Sequence, residues 1–517
     1  MNSPTVYVQS KSTQLPGLFD LVEVARTQSG EMLLLESADI LTKLSEKSML
    51  LLDLALKIES KNGHIELCAL MPEALSIVEL VKHKFNNFVV NSTDASISII
   101  IEPLYNQLDM LAKMKTQSAL DILREILKII NLEDKSTAEN IMLSGVFAYD
   151  FLDHFEKLPQ AKQDILGLPD FLFYLPLTVI TLDHKNKSTN IHAHSVSNAQ
   201  VATERLELTK KYITQAIGNY KKIPTTKSIS ALDPKSYVVD IPDAAFAELI
   251  DRCKEHIKAG DVYQIVPSRT FSRELSDVLK SYEALRELNP SPYMFYVRTA
   301  AWTLFGASPE TFIKVDKKGT RVSIRPIAGT RRRGLNSSGL IDEELDSREQ
   351  ASLCLDEKEL AEHMMLVDLA RNDIASIAKP ASRRVRRLLG VDRFSHVMHL
   401  VSEVEGILKA DCDALSAYQA SMNMGTLMGA PKVRAAELLR KLEHSKRGFY
   451  GGAVGYINKL GDMDTSIIIR SAVVKNNHAY VRAGCGVVYD SERSFEVKET
   501  VNKAEAVLKA IDIASQR

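Results

Sequence analysis

Two stretches of the chain set acidic residues in register with an apolar stripe. From Asp356 to Asp373 there is no Gly or Pro and helix formers dominate, which predicts a helix. Within it Glu359, Glu362, Leu366 and Leu369 recur at the three-or-four spacing of one helical face. A second helix is predicted over Ser494–Lys509, where Glu496, Glu499, Thr500 and Lys503 share a face that runs on into Val507 and Ile511. Carboxylates aligned with an apolar stripe face the protein, where an ionised group must be paired or bound to a cation. Two inward Glu-x-x-Glu helices converging on one point make an oxygen site for Mg2+, which takes one or two direct carboxylates and keeps several waters. Two ordinary helices with solvated acids is the other reading, and the pattern alone does not decide between them.

The remaining periodicity mixes strands and helices. Glu31–Ser37 and Ser48–Asp53 read as short buried strands, Leu108–Asn131 as a helix and Val201–Tyr220 as a charged amphipathic helix. The polar run Lys221–Ser230 with Asp233–Pro234 predicts a boundary between domains spanning 1–225 and 235–517. Beyond it, Asp243–Ala259 reads as a helix stopped by Gly260, and Val262–Pro267 as a strand. In Asn289–Tyr296 two prolines fix a turn ahead of an aromatic strand. Gly306–Glu310 and Arg325–Thr330 read as loops, Asn423–Lys432 as a glycine-spaced segment and Val433–Leu442 as a helix. Strands are expected at 453–458, 465–474 and 479–488. The period of two puts Gly484 and Gly486 on one face, open to a ligand, and turns Cys485 the other way. It also sets Arg470 beside Ile468 and Ala472, where either a substrate carboxylate or a structural salt bridge would satisfy it.

Composition narrows the class. The 517 residues have room for two or three domains, and 45% apolar with 25% charged residues is ordinary for a globular protein. A formal net charge of −1 supplies no field for nucleic acid or membrane. Five scattered cysteines show neither metal spacing nor a disulfide framework. No signal-peptide pattern opens the chain, and the longest apolar run, Phe171–Leu182, is interrupted by Pro176. A cytoplasmic protein of mixed α and β structure is expected.

Seven segments then share one resemblance: RPIAGTRRRG (325–334), DEKELAEHMMLVDLARND (356–373), HVMHLVSEVEG (396–406), MGTLMGAPKVRAAELL (424–439), YGGAVGY (450–456), RAGCGVVYDS (482–491) and EVKETVNKA (496–504). In this order they resemble the chorismate-utilising enzymes, and within them the anthranilate synthase component I family. LLLES (33–37) and GVFAYD (145–150) extend the resemblance to the whole chain. It implies a two-domain α+β fold of packed antiparallel sheets flanked by helices, and a lyase that converts chorismate and ammonia to anthranilate and pyruvate.

The resemblance also implies roles. Glu362 and Glu499 would ligate Mg2+ directly, with Glu359 and Glu496 assisting through water. Tyr450, Arg470, Lys503 and the Gly484–Cys485–Gly486 backbone would hold the enolpyruvyl carboxylate, and Gly329 and Thr330 would line the ring. Glu310 would protonate the C4 hydroxyl as general acid. His399, with Thr426 close by, would take the C2 proton. His363 and His396 are expected to be structural. Family members that add water have a lysine where this chain has Gln264, so ammonia is the expected nucleophile. Aminodeoxychorismate synthase component I, the alternative, commonly reads PIKGT where this chain has Ala328. A catalytically silent tryptophan sensor and a phosphoryl-transfer enzyme are further alternatives; the intact acids disfavour the first, and the missing P-loop the second.

Departures from the family are Cys485, where alanine is usual, and Ser491–Phe495, where a proline and another acid are common. No glutaminase sequence surrounds any cysteine, so a separate glutamine amidotransferase subunit is implied, in a heterotetramer. The family's tryptophan feedback site would fall on Glu36, Ser37, Lys47, Pro292, Tyr293, Met294, Val454 and Tyr456.

Overall fold

The structure is a computed structural model describing residues 4–14, 17–28, 30–38, 45–104, 109–216, 236–336, 340–393 and 397–515. The predicted boundary, Lys221–Ser230 with Asp233–Pro234, and His396 lie outside the described residues.

Antiparallel pairing organises almost every strand. The long strand Phe171–Asp183 pairs with Ser188–Ser195, Ser45–Lys61 and Met142–Phe147, so two sheet arms leave it. The first arm runs through Ser45–Lys61 and Met32–Ala38 to Tyr293–Arg298, Thr303–Ser308, Ser471–Lys475, His478–Gly484 and Ser268–Glu274. The second runs through Met142–Phe147 to Ala453–Asn458, Met463–Ile467, Thr311–Asp316, Arg321–Ile324 and Val397–Ile407. Met32–Ala38 on Tyr293–Arg298, and Met142–Phe147 on Ala453–Asn458, join strands from opposite sides of the predicted boundary.

Twice the chain passes from one arm to the other. Thr303–Ser308 lies in the first and Thr311–Asp316 in the second, with Pro309 and Glu310 at the corner. Met463–Ile467 and Ser471–Lys475 repeat this, with Ile468–Arg470 at the corner. The corners brace each other: Ile467 N donates to Glu310 O at 3.0 Å and Ala307 N to Arg470 O at 3.1 Å. The expected single strand 465–474 is therefore two strands, and Arg470 shares no strand face with Ile468 and Ala472. It sits in the break at φ 51°.

Other expectations shift in the same way. The helix expected over Leu108–Asn131 is two, Met110–Lys115 and Leu120–Ile129, because Thr116 turns extended and Ser118 starts a new turn. The strand expected at Val262–Pro267 shrinks to Gln264–Ile265, and the longer strand is Ser268–Glu274. Of the two expected loops, Gly306–Ser308 belongs to the strand Thr303–Ser308 and Ile327–Thr330 to the strand Ile327–Arg332. The last strand ends at Gly484.

Both acidic helices form. Glu357–Ile377 is capped by Asp356, whose carboxylate accepts from Glu359 N at 3.1 Å, and its buried face carries Leu366, Val367, Ala370 and Ile374. Arg493–Ser515 buries Thr500, Ala504, Val507, Leu508 and Ile511. The first helix packs on the strands Ile327–Arg332 and Val397–Ile407, the second on His478–Gly484 and the helix Val278–Leu288. Their first turns face one cavity. No helix is long and apolar enough to cross a membrane among the described residues.

Candidate active site

The cavity, about 410 Å³, is lined by Gln264, Glu310, Gly329, Thr330, Glu359, Glu362, His399, Thr426, Tyr450, Arg470, Gly484, Gly486, Glu496, Glu499 and Lys503. Every candidate catalytic, substrate and metal residue is there except Cys485. That residue is fully buried in an apolar cluster between its two glycine neighbours.

Each residue owes its place to an element end or a break. Glu310 stands at the first corner, 6% exposed, with Oε1 buried and unpartnered. Burial pushes its carboxyl up to about 8, against smaller opposite pulls from the Thr426 hydroxyl and the Lys503 charge. At neutral pH it carries a proton. Arg470, at the second corner, donates to Lys503 O at 3.0 Å, and no carboxylate lies within salt-bridge distance of it among the described residues. Burial lowers its pKa, partly offset by Glu499 and Tyr450. A cation walled in beside a cavity is a ready partner for an incoming carboxylate.

Gly329 sits in a bulge of the strand Ile327–Arg332 at φ 73°, where a Cβ would stand 3.1 Å from Glu359 Oε2. The bulge brings Thr330 Oγ1 to 2.9 Å and Gly329 O to 3.1 Å from His399 Nδ1. Burial lowers the His399 pKa, with Gly329 O opposing, so the ring stays neutral near pH 7 and can accept a proton. Gly484 meets a different limit: a Cβ there would come within 2.7 Å of Pro267 O and 2.9 Å of Tyr450 Oη. Gln264 Oε1 is buried without a partner.

The four glutamates face one another across the cavity. Burial and the Glu359 and Glu499 charges raise Glu362, despite Lys358 at 3.8 Å. Burial and Glu499 raise Glu496, whereas Lys503, at 2.9 Å, holds Glu499 down against its own burial. Glu359 pairs with Arg331 at 3.2 Å. One Glu496 oxygen, Oε2, is buried and accepts no hydrogen bond. Carboxylates gathered along one cavity wall are candidate oxygen ligands for a hard divalent cation.

His363 is buried and hydrogen bonds Ser402 Oγ at 2.7 Å, a structural contact. Arg482 lines the cavity, and its role was not foreseen. It donates to Ser268 Oγ, Lys446 O and Glu443 at 2.8, 2.7 and 3.1 Å. Burial works to raise the Glu443 pKa, and the Arg447 and Arg482 charges overcome it. Arg447 in turn lies over the rings of Tyr149 and Tyr450, at 4.6 and 5.8 Å. The visible sequence signal was an arginine alternating with apolar residues in Val481–Arg482–Ala483.

A second cavity, about 620 Å³, lies on the other side of Pro309 and Ile327, which line both. Ser37, Pro292, Tyr293, Thr311, Lys314, Arg325 and Asp464 line it. Tyr293 Oη is 3.0 Å from Thr311 Oγ1 and donates to Asp464 at 3.0 Å. Of the candidate tryptophan residues, Ser37, Pro292 and Tyr293 meet here. Glu36 and Met294 are directly paired in the strands but turn to the opposite face. There Glu36 accepts from Ser48, Tyr282 and Arg286 at 2.6, 2.5 and 3.2 Å, and Met294 is buried in an apolar cluster. Val454 is buried in a separate apolar cluster with Val146 and Leu172, Tyr456 packs against that cluster, and Lys47 is exposed.

Residues 86–509 match the family model described as chorismate binding enzyme. Anthranilate synthase component 1 of Vibrio cholerae is 42% identical over 487 residues, covering 94% of this chain and 92% of that protein. The Haemophilus influenzae protein of the same name is 40% identical over 521 residues, covering 99% and 98%. The crystal structure of anthranilate synthase component I from Streptococcus pneumoniae superposes with a TM-score of 0.67 at 28% identity, covering 90% of this chain and 92% of that one. With the match running from residue 86 to residue 509, across most of the chain, the chain belongs to the chorismate-binding enzyme family.

Proposed function

We propose that this chain is the synthase subunit that converts chorismate and ammonia to anthranilate, pyruvate and water, with Mg2+ as cofactor. The observation that carries the reading is one cavity holding a carboxylic acid protonated at neutral pH, Glu310, together with four converging glutamates and an arginine lacking a carboxylate partner.

Glu362 and Glu499 would hold the metal directly, with Glu359 and Glu496 through water; when bound, Mg2+ steadies charge on the ring carboxylate. Arg470 and Tyr450 grip the enolpyruvyl carboxylate, with the Gly484 backbone close enough to admit it. The C4 hydroxyl leaves as water on taking the Glu310 proton. The C2–N bond forms as ammonia adds and the ring double bonds shift. His399 then removes the C2 proton, the C3–O bond breaks as the ring aromatises, and the departing enolpyruvate takes up a proton at its CH2 carbon to become pyruvate. Gln264 offers an amide where a base would be needed to activate water, and Ala328 offers no amine to attack C2, which supports direct addition of ammonia.

Ammonia would come from a separate glutamine amidotransferase subunit. Tryptophan would bind in the second cavity, whose shared wall of Pro309 and Ile327 supports feedback on the first. The test is to supply the purified chain with chorismate, an ammonium salt and MgCl2, and to follow anthranilate fluorescence. Product is expected with ammonium and lost on adding EDTA or on replacing ammonium by glutamine. Consumption of chorismate without fluorescence would favour aminodeoxychorismate as product, and untouched chorismate would overturn the reading.

A further inference from the structure

Cys485 differs from the four other cysteines in what it faces. Its Sγ, one carboxylate oxygen of Glu496 and one of Glu499 lie within 4.8 Å of one another. The thiol is fully buried, Glu496 is 3% exposed, and Glu496 Oε2 has no hydrogen-bond partner although it is sealed from water. Both glutamates also line the catalytic cavity, and the thiol beside them does not itself line it. An oxygen-only set suits Mg2+. A thiol beside two carboxylates makes a different set, because Zn2+ and Co2+ bind thiolate strongly and accept three protein ligands with an open position.

We propose that Cys485, Glu496 and Glu499 form a thiolate–dicarboxylate site for a borderline-soft divalent ion, Zn2+ or Co2+. The thiol proton passes to solvent as the metal–sulfur bond forms. Glu499 turns from its 2.9 Å contact with Lys503 to do so. On the functional reading above, the soft ion takes two of the four glutamates from Mg2+ and suppresses turnover. The site itself stands on the three side chains and needs no assumption about the reaction.

The test is direct titration of the metal-free chain with Co2+, reading the near-ultraviolet thiolate-to-cobalt absorption, and with Zn2+ by calorimetry. The parent should develop the band, and Cys485→Ala and Cys485→Ser should not. Zn2+ affinity should fall at least about tenfold in both variants, since even outer partners of a metal ligand are worth roughly 10–100-fold. Unchanged thermal melting of the metal-free Ser variant would show that the loss is local; if it melts early, the parent's own band still decides. No band in the parent, or a band retained without Cys485, overturns the site. If the site binds Co2+ but the chain never consumes chorismate, the functional reading fails and the metal site stands. If chorismate turns over but no band forms, the reverse holds.

Discussion

At the scale of the residue, Glu310 is where environment makes chemistry. A carboxyl whose folded pKa is about 8 is protonated at neutral pH, so the acid needed at C4 is present below that value and lost above it. Turnover limited by this proton should fall as pH rises through about 8. Glu310→Gln should lose roughly 10²–10⁴-fold in kcat while still binding chorismate, read by ligand-induced thermal shift. The same burial has a signed effect on stability. The folded state holds this proton and the unfolded chain releases it nearer 4.5, so this group's contribution falls as pH rises from there and is fully unfavourable above about 8. Glu310→Gln should therefore gain in melting temperature relative to the parent at pH 9. Equal or lower melting there would contradict the buried, protonated acid. Arg470→Lys replaces a planar fork by a point charge and should raise KM for chorismate about tenfold or more; an unchanged KM would remove Arg470 from the substrate.

At the scale of the element, the site is assembled from ends and corners. Gly484 closes a strand where any Cβ would press on Pro267 O and Tyr450 Oη. Gly484→Ala should lower stability by about 1–3 kcal/mol and displace Tyr450, visible as a raised KM and earlier denaturant unfolding. This also explains what could be read in advance. The acidic helices were legible because helical spacing alone aligns Glu359 with Glu362 and Glu496 with Glu499; Cys485 is buried between two cavity-lining glycines as expected, although the strand itself ends at Gly484. Arg470 was legible as an inward charge but its backbone was not. Ile468–Ile469–Arg470 has the composition of a strand, and only pairing with two different sheet arms breaks it there. Glu310 was named through the family resemblance, but its place at a corner between two sheet arms was not legible, because local pattern reads Gly306–Glu310 as a loop. Arg482, Arg447 and Glu443 were missed because a buried ion cluster is fixed by partners remote in sequence.

At the scale of the whole molecule, the two sheet arms place two cavities back to back across Pro309 and Ile327. The strand that carries Tyr293 is hydrogen bonded to Met32–Ala38 on one side and to Thr303–Ser308, which leads to Glu310, on the other. An occupant between Ser37 and Tyr293 would press on the strand that leads to Glu310, the proposed catalytic acid. Ser37→Phe should weaken tryptophan inhibition at least about tenfold, the middle of the usual coupling range, while uninhibited turnover persists. Inhibition equal to the parent's would remove the second cavity from the regulatory account. The central claim concerns the first cavity: ammonia adds to chorismate there and pyruvate leaves. The most direct measurement is turnover of chorismate by the isolated chain with MgCl2 and nitrogen-15 ammonium, with all products identified by mass. The account predicts labelled anthranilate and an equal amount of pyruvate, both abolished by EDTA. Isochorismate, labelled aminodeoxychorismate as the end product, or label-free anthranilate would contradict it.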